Sequence, residues 1–306
     1  MFILCEGKCD IYSNIGDFSI DPEKNTVFVT YFEESREITN LLFPGAYMSS
    51  DEAIGAKYEN LYDFDKIFIN RPDNIVVEKH TSAKTEVYIS KRHLAIYTQD
   101  ELLKQVMNKY ISNGQEVPSN AEILKELFKN IFSDDMVLMN NIEDNLSRLE
   151  IEVVEKGNNQ ASVTKKLLEI RKNLLSLNRY YSAMFDLLED LEENLNSIFT
   201  QEEIKHFRIH TNKADRLQGE IKNLQEYATQ VREAYQSQLD IQQNKVMQFF
   251  TVVTSIFLPL TLIVGWYGMN LKMPEFGSPI AYPIVIGVSI VIAISLIIYF
   301  RKKKWF

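Results

Sequence analysis

The amino-acid sequence predicts an α+β chain in which a small N-terminal α/β domain and long antiparallel helices carry a C-terminal membrane hairpin of two helices. Three observations lead there. Two runs near the C-terminus, residues 246–267 and 280–300, contain no Asp, Glu, Lys or Arg. Ahead of them, apolar residues step by three and four from Leu217 to Tyr235, and neither Gly nor Pro interrupts the chain between Glu220 and Leu258. Before about Thr98, short runs of β-branched and aromatic residues alternate with turn signals.

In chain order, residues 27–32, 66–69, 75–77 and 87–89 read as strands. Asp21-Pro22, Phe43-Pro44-Gly45 and Arg71-Pro72-Asp73-Asn74 punctuate them. A helix beginning near Asp100 completes a domain over residues 1–118. Ser119 is an N-cap with Glu122 at the capping-box position. Ile123, Leu127, Ile131, Ile142, Leu146, Leu149 and Val153 then predict one long amphipathic helix reaching Gly157. A second helix, from about Ser162 to Phe199, carries Leu167, Ile170, Leu174, Leu177 and Tyr181 on one face, so residues 119–200 form an antiparallel pair. The third, a stalk over residues 201–270, starts near Gln201 and continues into the first apolar run. About 65 residues at about 1.5 Å each make a rod of roughly 100 Å, its last third within a bilayer.

Each apolar run reaches the length of about 20 residues that crosses a bilayer. The bland alternative, a pair of buried helices in a soluble core, seldom runs so far without charge. Lys245 precedes the first run, and Arg301, Lys302, Lys303 and Lys304 follow the second in a tail over 301–306. The connecting loop, 271–279, has only Lys272 against Glu275. The positive-inside rule therefore places both termini in the cytoplasm and the loop outside the cell membrane. Met1 to Cys5 run directly into Glu6, which predicts no signal peptide. A net charge of −9 argues against nucleic acid and suits a domain that meets cations. Cys5 and Cys9 lack zinc-site spacing and read as reduced thiols. No nucleophile or phosphate loop stands out, so neither an enzyme nor an organic cofactor is expected.

The first apolar run is polar along one line. Asn244, Met247, Thr251, Thr254, Leu258, Thr261, Gly265 and Gly268 step by three and four and share one narrow face. Amides, hydroxyls and glycines at membrane depth need water or a protein neighbour beside them. Small and hydroxyl residues also make tight helix seams, so pore lining and packing seam both fit the spacing. In the soluble helices, Asp134-Asp135, the acids Asp186, Glu189, Asp190, Glu192 and Glu193, and His206 with His210 at i and i+4 invite a metal reading. Acidic runs are usually solvated faces, and the His pair lacks a third ligand.

Tyr267-Gly268-Met269-Asn270 at the outer end of the first apolar run, followed by Met273-Pro274-Glu275 and a final helix ending Tyr299-Phe300-Arg301-Lys302-Lys303-Lys304-Trp305, resembles the CorA family of magnesium channels. The resemblance takes in Asn244-Lys245-Val246-Met247 and Phe257-Leu258-Pro259-Leu260-Thr261, and extends loosely back to about Phe128. It implies a homopentamer whose selectivity filter is Gly268, Met269 and Asn270, with five Asn270 amides at the outer mouth meeting hydrated Mg2+, an ion that gives up water reluctantly. It further implies that Thr261 relays the ion, that Leu258, Phe250 and Met247 narrow and dry the path, that Asn244 guards the inner mouth, and that Arg301, Lys302, Lys303 and Lys304 form an inner basic ring. Transport would be passive, driven by about 4.6 kcal/mol per 100 mV for a divalent ion, with cobalt and nickel as further ions. A zinc carrier of the same superfamily is the neighbouring alternative, disfavoured by the unchanged Met269; a membrane-anchored coiled-coil scaffold is the alternative of another class. One departure concerns regulation. Where the family carries Phe-Arg-Asp on the stalk, this sequence has Phe207-Arg208-Ile209, and an alkyl side chain cannot ligate Mg2+. A regulatory site would then fall to Asp215, His206 and His210.

Overall fold

The computed structural model describes residues 2–6, 8–12, 25–30, 36–46, 55–71, 84–98, 119–156, 160–270, 278–303 and 305. The expected strand at 75–77, the helix near Asp100, Met273-Pro274-Glu275 and Lys304 lie outside them. The chain divides into two compact units, residues 1–151 with 159–231, and residues 152–158 with 232–306.

The first unit is built on a seven-stranded sheet. Its strands are β1 (Phe2–Glu6), β2 (Lys8–Tyr12), β3 (Thr26–Thr30), β4 (Gly55–Asn60), β5 (Asp65–Asn70), β6 (Lys84–Ile89) and β7 (His93–Thr98), in the order β2-β1-β3-β7-β6-β5-β4. All neighbours are antiparallel except β3 and β7, so the sheet is mixed. Cys5 and Cys9 are cross-strand partners in the β1–β2 hairpin. β5, β6 and β7 have almost every residue buried, as expected of a sheet covered on both faces. On one face a short helix α1 (Arg36–Leu42) adds Leu42 to an aromatic cluster of Phe28, Phe43, Phe64, Tyr88 and Tyr97.

Helix α2 (Asn120–Ile131) opens with the expected capping box, Glu122 N–H donating to Ser119 Oγ at 3.2 Å and Ser119 N–H to Glu122 Oε2 at 3.3 Å. It does not run on to Gly157. The chain breaks at Phe132, Ser133 and Asp134, and α3 (Asp135–Lys156) begins afresh with Leu138 N–H on Asp134 O. Two long-range contacts hold that break. Lys213 Nζ donates to Phe132 O at 2.8 Å, placing a cation on the last carbonyls of α2. Arg71 Nη2, just beyond β5, meets the fully buried Asp135 carboxylate at 2.5 Å.

Helix α4 (Gln160–Glu193) packs on β4, where a Cβ on Gly55 would stand 3.7 Å from Ala183 Cβ. It ends six residues before Phe199, because Asn194 turns left-handed (φ 50°) and its side chain takes over the backbone groups, accepting from Ile198 and Phe199 N–H and donating to Phe199 O. Asn196 then donates to Leu61 O and Asp65 Oδ1, both at 2.7 Å, tying this turn to the sheet. Thr200 and Glu203 cap the next helix, α5 (Gln201–Tyr267), which runs 67 residues without a break as its periodicity predicts, Pro259 included. Within the first unit, Leu217, Ile221, Leu224, Ala228 and Val231 of α5 are buried.

The second unit contains the remainder of α5 and the apolar helix α6 (Ala281–Lys302). Just 6% of each apolar stretch is buried in the chain, which rules out the soluble-core alternative. Two helices this apolar and this exposed need a non-aqueous surrounding.

Candidate functional site

Every member of the polar line on α5, from Asn244 through Met247, Thr251, Thr254, Leu258, Thr261 and Gly265 to Gly268, is exposed. The positions that are buried or half-buried are Val252, Val253, Ser255, Ile256, Pro259, Leu260 and Ile263. At about 100° per residue the exposed line fills an arc of about 120°, and the covered positions centre on the other side of the helix, with Ser255 nearest the line. Near the outer end, Ile263, Val264, Tyr267 and Gly268 of α5 share a cavity of about 550 Å³ with Val285 and Ser289 of α6. Of the polar line only Gly268 reaches that cavity; from Asn244 to Gly265 the line is exposed and left free for water or for further copies of the chain.

The hydroxyls on this line have a fixed polarity. Thr251, Thr254 and Thr261 each donate to the carbonyl four residues back, on Met247, Phe250 and Phe257, all at 2.8 Å. Their protons being committed to the helix, the oxygens offer lone pairs outward. A hydrated cation presents water protons, which such acceptors can hold without replacing a water. Between these rungs, Leu258, Phe250 and Met247 expose 69%, 62% and 59% of their surface, so the face alternates acceptor and apolar bands. Pro259, beside Leu258, supplies no N–H, and the Ser255 carbonyl loses its helical partner there.

At the end of the line α5 closes on glycine. Gly268 N–H donates to Val264 O at 2.8 Å, and a Cβ at this position would lie 2.9 Å from that same oxygen, so any side chain forces the backbone to shift. Gly265 has open space around it. Met269 and Asn270 follow, both exposed.

The proposed regulatory residues do not converge. His206 and Asp215 are exposed, whereas His210 is buried between Phe128 and Phe132, stacked on the latter with 10° between ring planes. Burial, with the charges of Lys213 and Lys125, pushes His210 down to about 4, so it is neutral at pH 7. Ile209 is exposed. Asp134 is exposed while Asp135 is committed to Arg71, a pairing that sequence reasoning missed because nothing local links residues 64 positions apart. Asp186, Glu189, Asp190 and Glu193 are solvated, and Glu192 is taken by Arg208 and Thr211. Among the described residues no group of three or more His, Cys, Asp or Glu side chains is placed to hold a metal.

Comparison with known proteins agrees with this architecture. The profile described as "CorA-like Mg2+ transporter protein" matches residues 50–302. The cobalt/magnesium transport protein CorA of Thermotoga maritima is 29% identical over 184 residues, 60% of this chain and 52% of that protein. The magnesium transport protein CorA of Campylobacter jejuni is 28% identical over 217 residues, 68% of this chain and 64% of that protein. The matched stretch thus spans between half and two-thirds of these curated relatives. In fold, the complete structure of the CorA magnesium transporter from Methanocaldococcus jannaschii superposes with a TM-score of 0.81 at 21% identity, covering 100% of this chain and 99% of that one. With four-fifths of the chain inside the family profile, this protein is a membrane protein of the CorA-like Mg2+ transporter family.

Proposed function

We propose that the chain is one subunit of a homo-oligomeric Mg2+ channel whose pore is lined by the exposed line of α5. The observation that carries this reading is that the line from Asn244 to Gly265 stays exposed while the covered positions centre on the other side of the helix, leaving outward acceptor oxygens in register with apolar bands and leading to Gly268, Met269 and Asn270. One helix cannot enclose a path, so several copies must surround it symmetrically; five is the number the family resemblance implies. In such a ring the Asn270 amides meet the hydrated ion at the outer mouth, Thr261 and the lower threonines hold its water shell by accepting from it, and Leu258, Phe250 and Met247 close the path by drying it. Asn244 lies at the inner mouth. Lys245 with Arg301, Lys302, Lys303 and Lys304 keeps that end in the cytoplasm, so the membrane potential drives the ion inward. Cobalt and nickel, of similar hydration, fit the same filter.

The test is Mg2+ entry into proteoliposomes. Asn270→Ala removes the side-chain amides of the mouth and is expected to reduce entry at least tenfold while the oligomer stays assembled; wild-type entry would sink the filter. Regulation by Mg2+ falls on this reading to His206 and Asp215, exposed residues of α5 able to face another copy, with Ile209 weakening the site. Millimolar Mg2+ should then inhibit with a shallow dependence that flattens further in His206→Ala/Asp215→Ala. An unchanged dose curve in that variant places the sensor elsewhere.

A further inference from the structure

We propose that the C-terminal end of α6 is a docking site for anionic phospholipid headgroups, formed by Arg301, Lys302 and Lys303 and held at headgroup depth by Tyr299, Phe300 and Trp305. It rests on α6 crossing a bilayer, and neither on ion conduction nor on which side the tail faces.

The sequence alone would let a basic tail trail into water. The structure turns it back instead. Lys303 N–H donates to Tyr299 O, and Trp305 N–H reaches Phe300 O at 3.1 Å, so the chain closes a final turn over the helix end. Trp305 lies against Phe300, ring centroids 5.6 Å apart, and Phe300 also contacts Tyr299 edge to face and is itself buried. Lys303 Nζ sits over the Tyr299 ring, 5.5 Å from its centroid. Amphipathic rings settle at the interface of a bilayer, so this cluster anchors the turn there.

The three cations are thereby fixed in a layer of phosphates. At about 100° per residue, 301 to 303 fan over roughly 200° of the helix circumference, reaching lipids on several sides. All three are exposed, and among the described residues no carboxylate pairs with them. Charge complementarity selects the occupant. A phosphodiester offers the two oxygens that a guanidinium fork and ammonium donors fit, and a headgroup with net negative charge is preferred over a zwitterionic one, whose own ammonium competes for the phosphate. Each basic residue near such a surface is worth about fivefold in association.

The chain has two tryptophans, so Trp266→Phe leaves Trp305 as the sole reporter. In purified full-length protein, quenching of Trp305 by brominated phosphatidylglycerol should occur at a mole fraction at least about fivefold lower than quenching by brominated phosphatidylcholine. The difference should shrink as salt rises from 0.1 to about 1 M. It should vanish in R301Q/K302Q/K303Q and persist in the charge-preserving R301K/K302R/K303R. If the triple glutamine variant does not fold, the single variants R301Q, K302Q and K303Q should each lose part of the preference. Equal quenching by the two lipids overturns the proposal, and so does a preference that survives loss of the three charges. No step depends on transport, so failure here is separable from failure of the channel reading.

Discussion

Two stretches of α5 share one periodicity and bury opposite things. Between residues 201 and 231, the positions repeating every three or four residues are Ile204, Phe207, His210, Ala214, Leu217, Ile221, Leu224, Ala228 and Val231, and all are buried. Between residues 244 and 268, the residues repeating at the same interval are mostly polar or small and all exposed, while Phe249, Phe257, Val264 and Trp266 elsewhere on the helix are exposed as well. A stripe at helical spacing therefore identifies a face without saying what covers it. The residues outside the stripe say that: charges flank it in the first stretch, where water is outside, and apolar side chains flank it in the second, where lipid is.

The comparison breaks most visibly if an acid is placed on and off the polar line. Leu258→Asp, on it, should assemble normally and raise Mg2+ entry severalfold or more by wetting the dry band; Met247→Asp should act in the same direction. Val264→Asp lies off the line and is just as exposed in the chain. There the carboxylate meets an apolar environment, at a cost of about 2.5–3.5 kcal/mol per copy, and yields of assembled protein should fall. Equal behaviour of the two variants would mean that the line has no water beside it.

A smaller effect should follow in the first unit. Asp135 is fully buried, and Arg71, its partner at 2.5 Å, is 21% exposed. Burial pushes the carboxyl up, and the Arg71 guanidinium is the largest influence pulling it back down, followed by Tyr181 and Lys213. Asp135→Asn removes the buried charge that meets Arg71 and should cost about 3 kcal/mol, read as a fall of roughly 6–12 °C in the thermal midpoint of a unit this size. The exposed neighbour in Asp134→Asn should change it by about 1 °C at most. Equal shifts would show that the ion pair does not hold the α2–α3 break.

How much of this was legible in the sequence divides along the same line. The membrane hairpin, the exposed polar line and the unbroken α5 were readable because each is a local property, of composition or of period. The capping box at Ser119 was readable for the same reason. The interruption between α2 and α3 was not, because its cause lies in Arg71 and Lys213, far away in sequence. The early end of α4 had a local cause, the left-handed Asn194, but asparagine is common enough inside helices to give no warning. The strands β2, β4 and β7 escaped notice because each mixes polar or small residues with apolar ones, as in Lys-Cys-Asp-Ile-Tyr of β2, Gly-Ala-Lys-Tyr-Glu-Asn of β4 and His-Leu-Ala-Ile-Tyr-Thr of β7, and β1, Phe-Ile-Leu-Cys-Glu, because it holds a single β-branched residue. At the candidate site the residues on the line were identifiable, while the direction of the threonine protons needed coordinates.

His210 gives the finest test of which surroundings α5 meets in its first stretch. Its i, i+4 spacing with His206 invited a metal reading, yet the ring is buried between Phe128 and Phe132 with Lys213 and Lys125 near enough to repel a proton, and Glu126 opposing them weakly. Its folded value of about 4 lies below the ordinary value of 6.5. Between those two values the unfolded chain takes up a proton that the folded one refuses, so His210 supports the fold above pH 6.5 and loses that support as pH falls toward 4. Asp135, whose carboxyl is raised, contributes with the opposite sign, so the wild-type profile mixes the two. His210→Phe keeps a flat ring in the stack and removes the titration. The difference between wild type and variant should therefore grow in the variant's favour from pH 7 to pH 5, by at most about 3–5 °C per pH unit. Parallel profiles would mean that the imidazole is as protonatable in the fold as in the unfolded chain, and that this part of α5 is wetter than its packing implies.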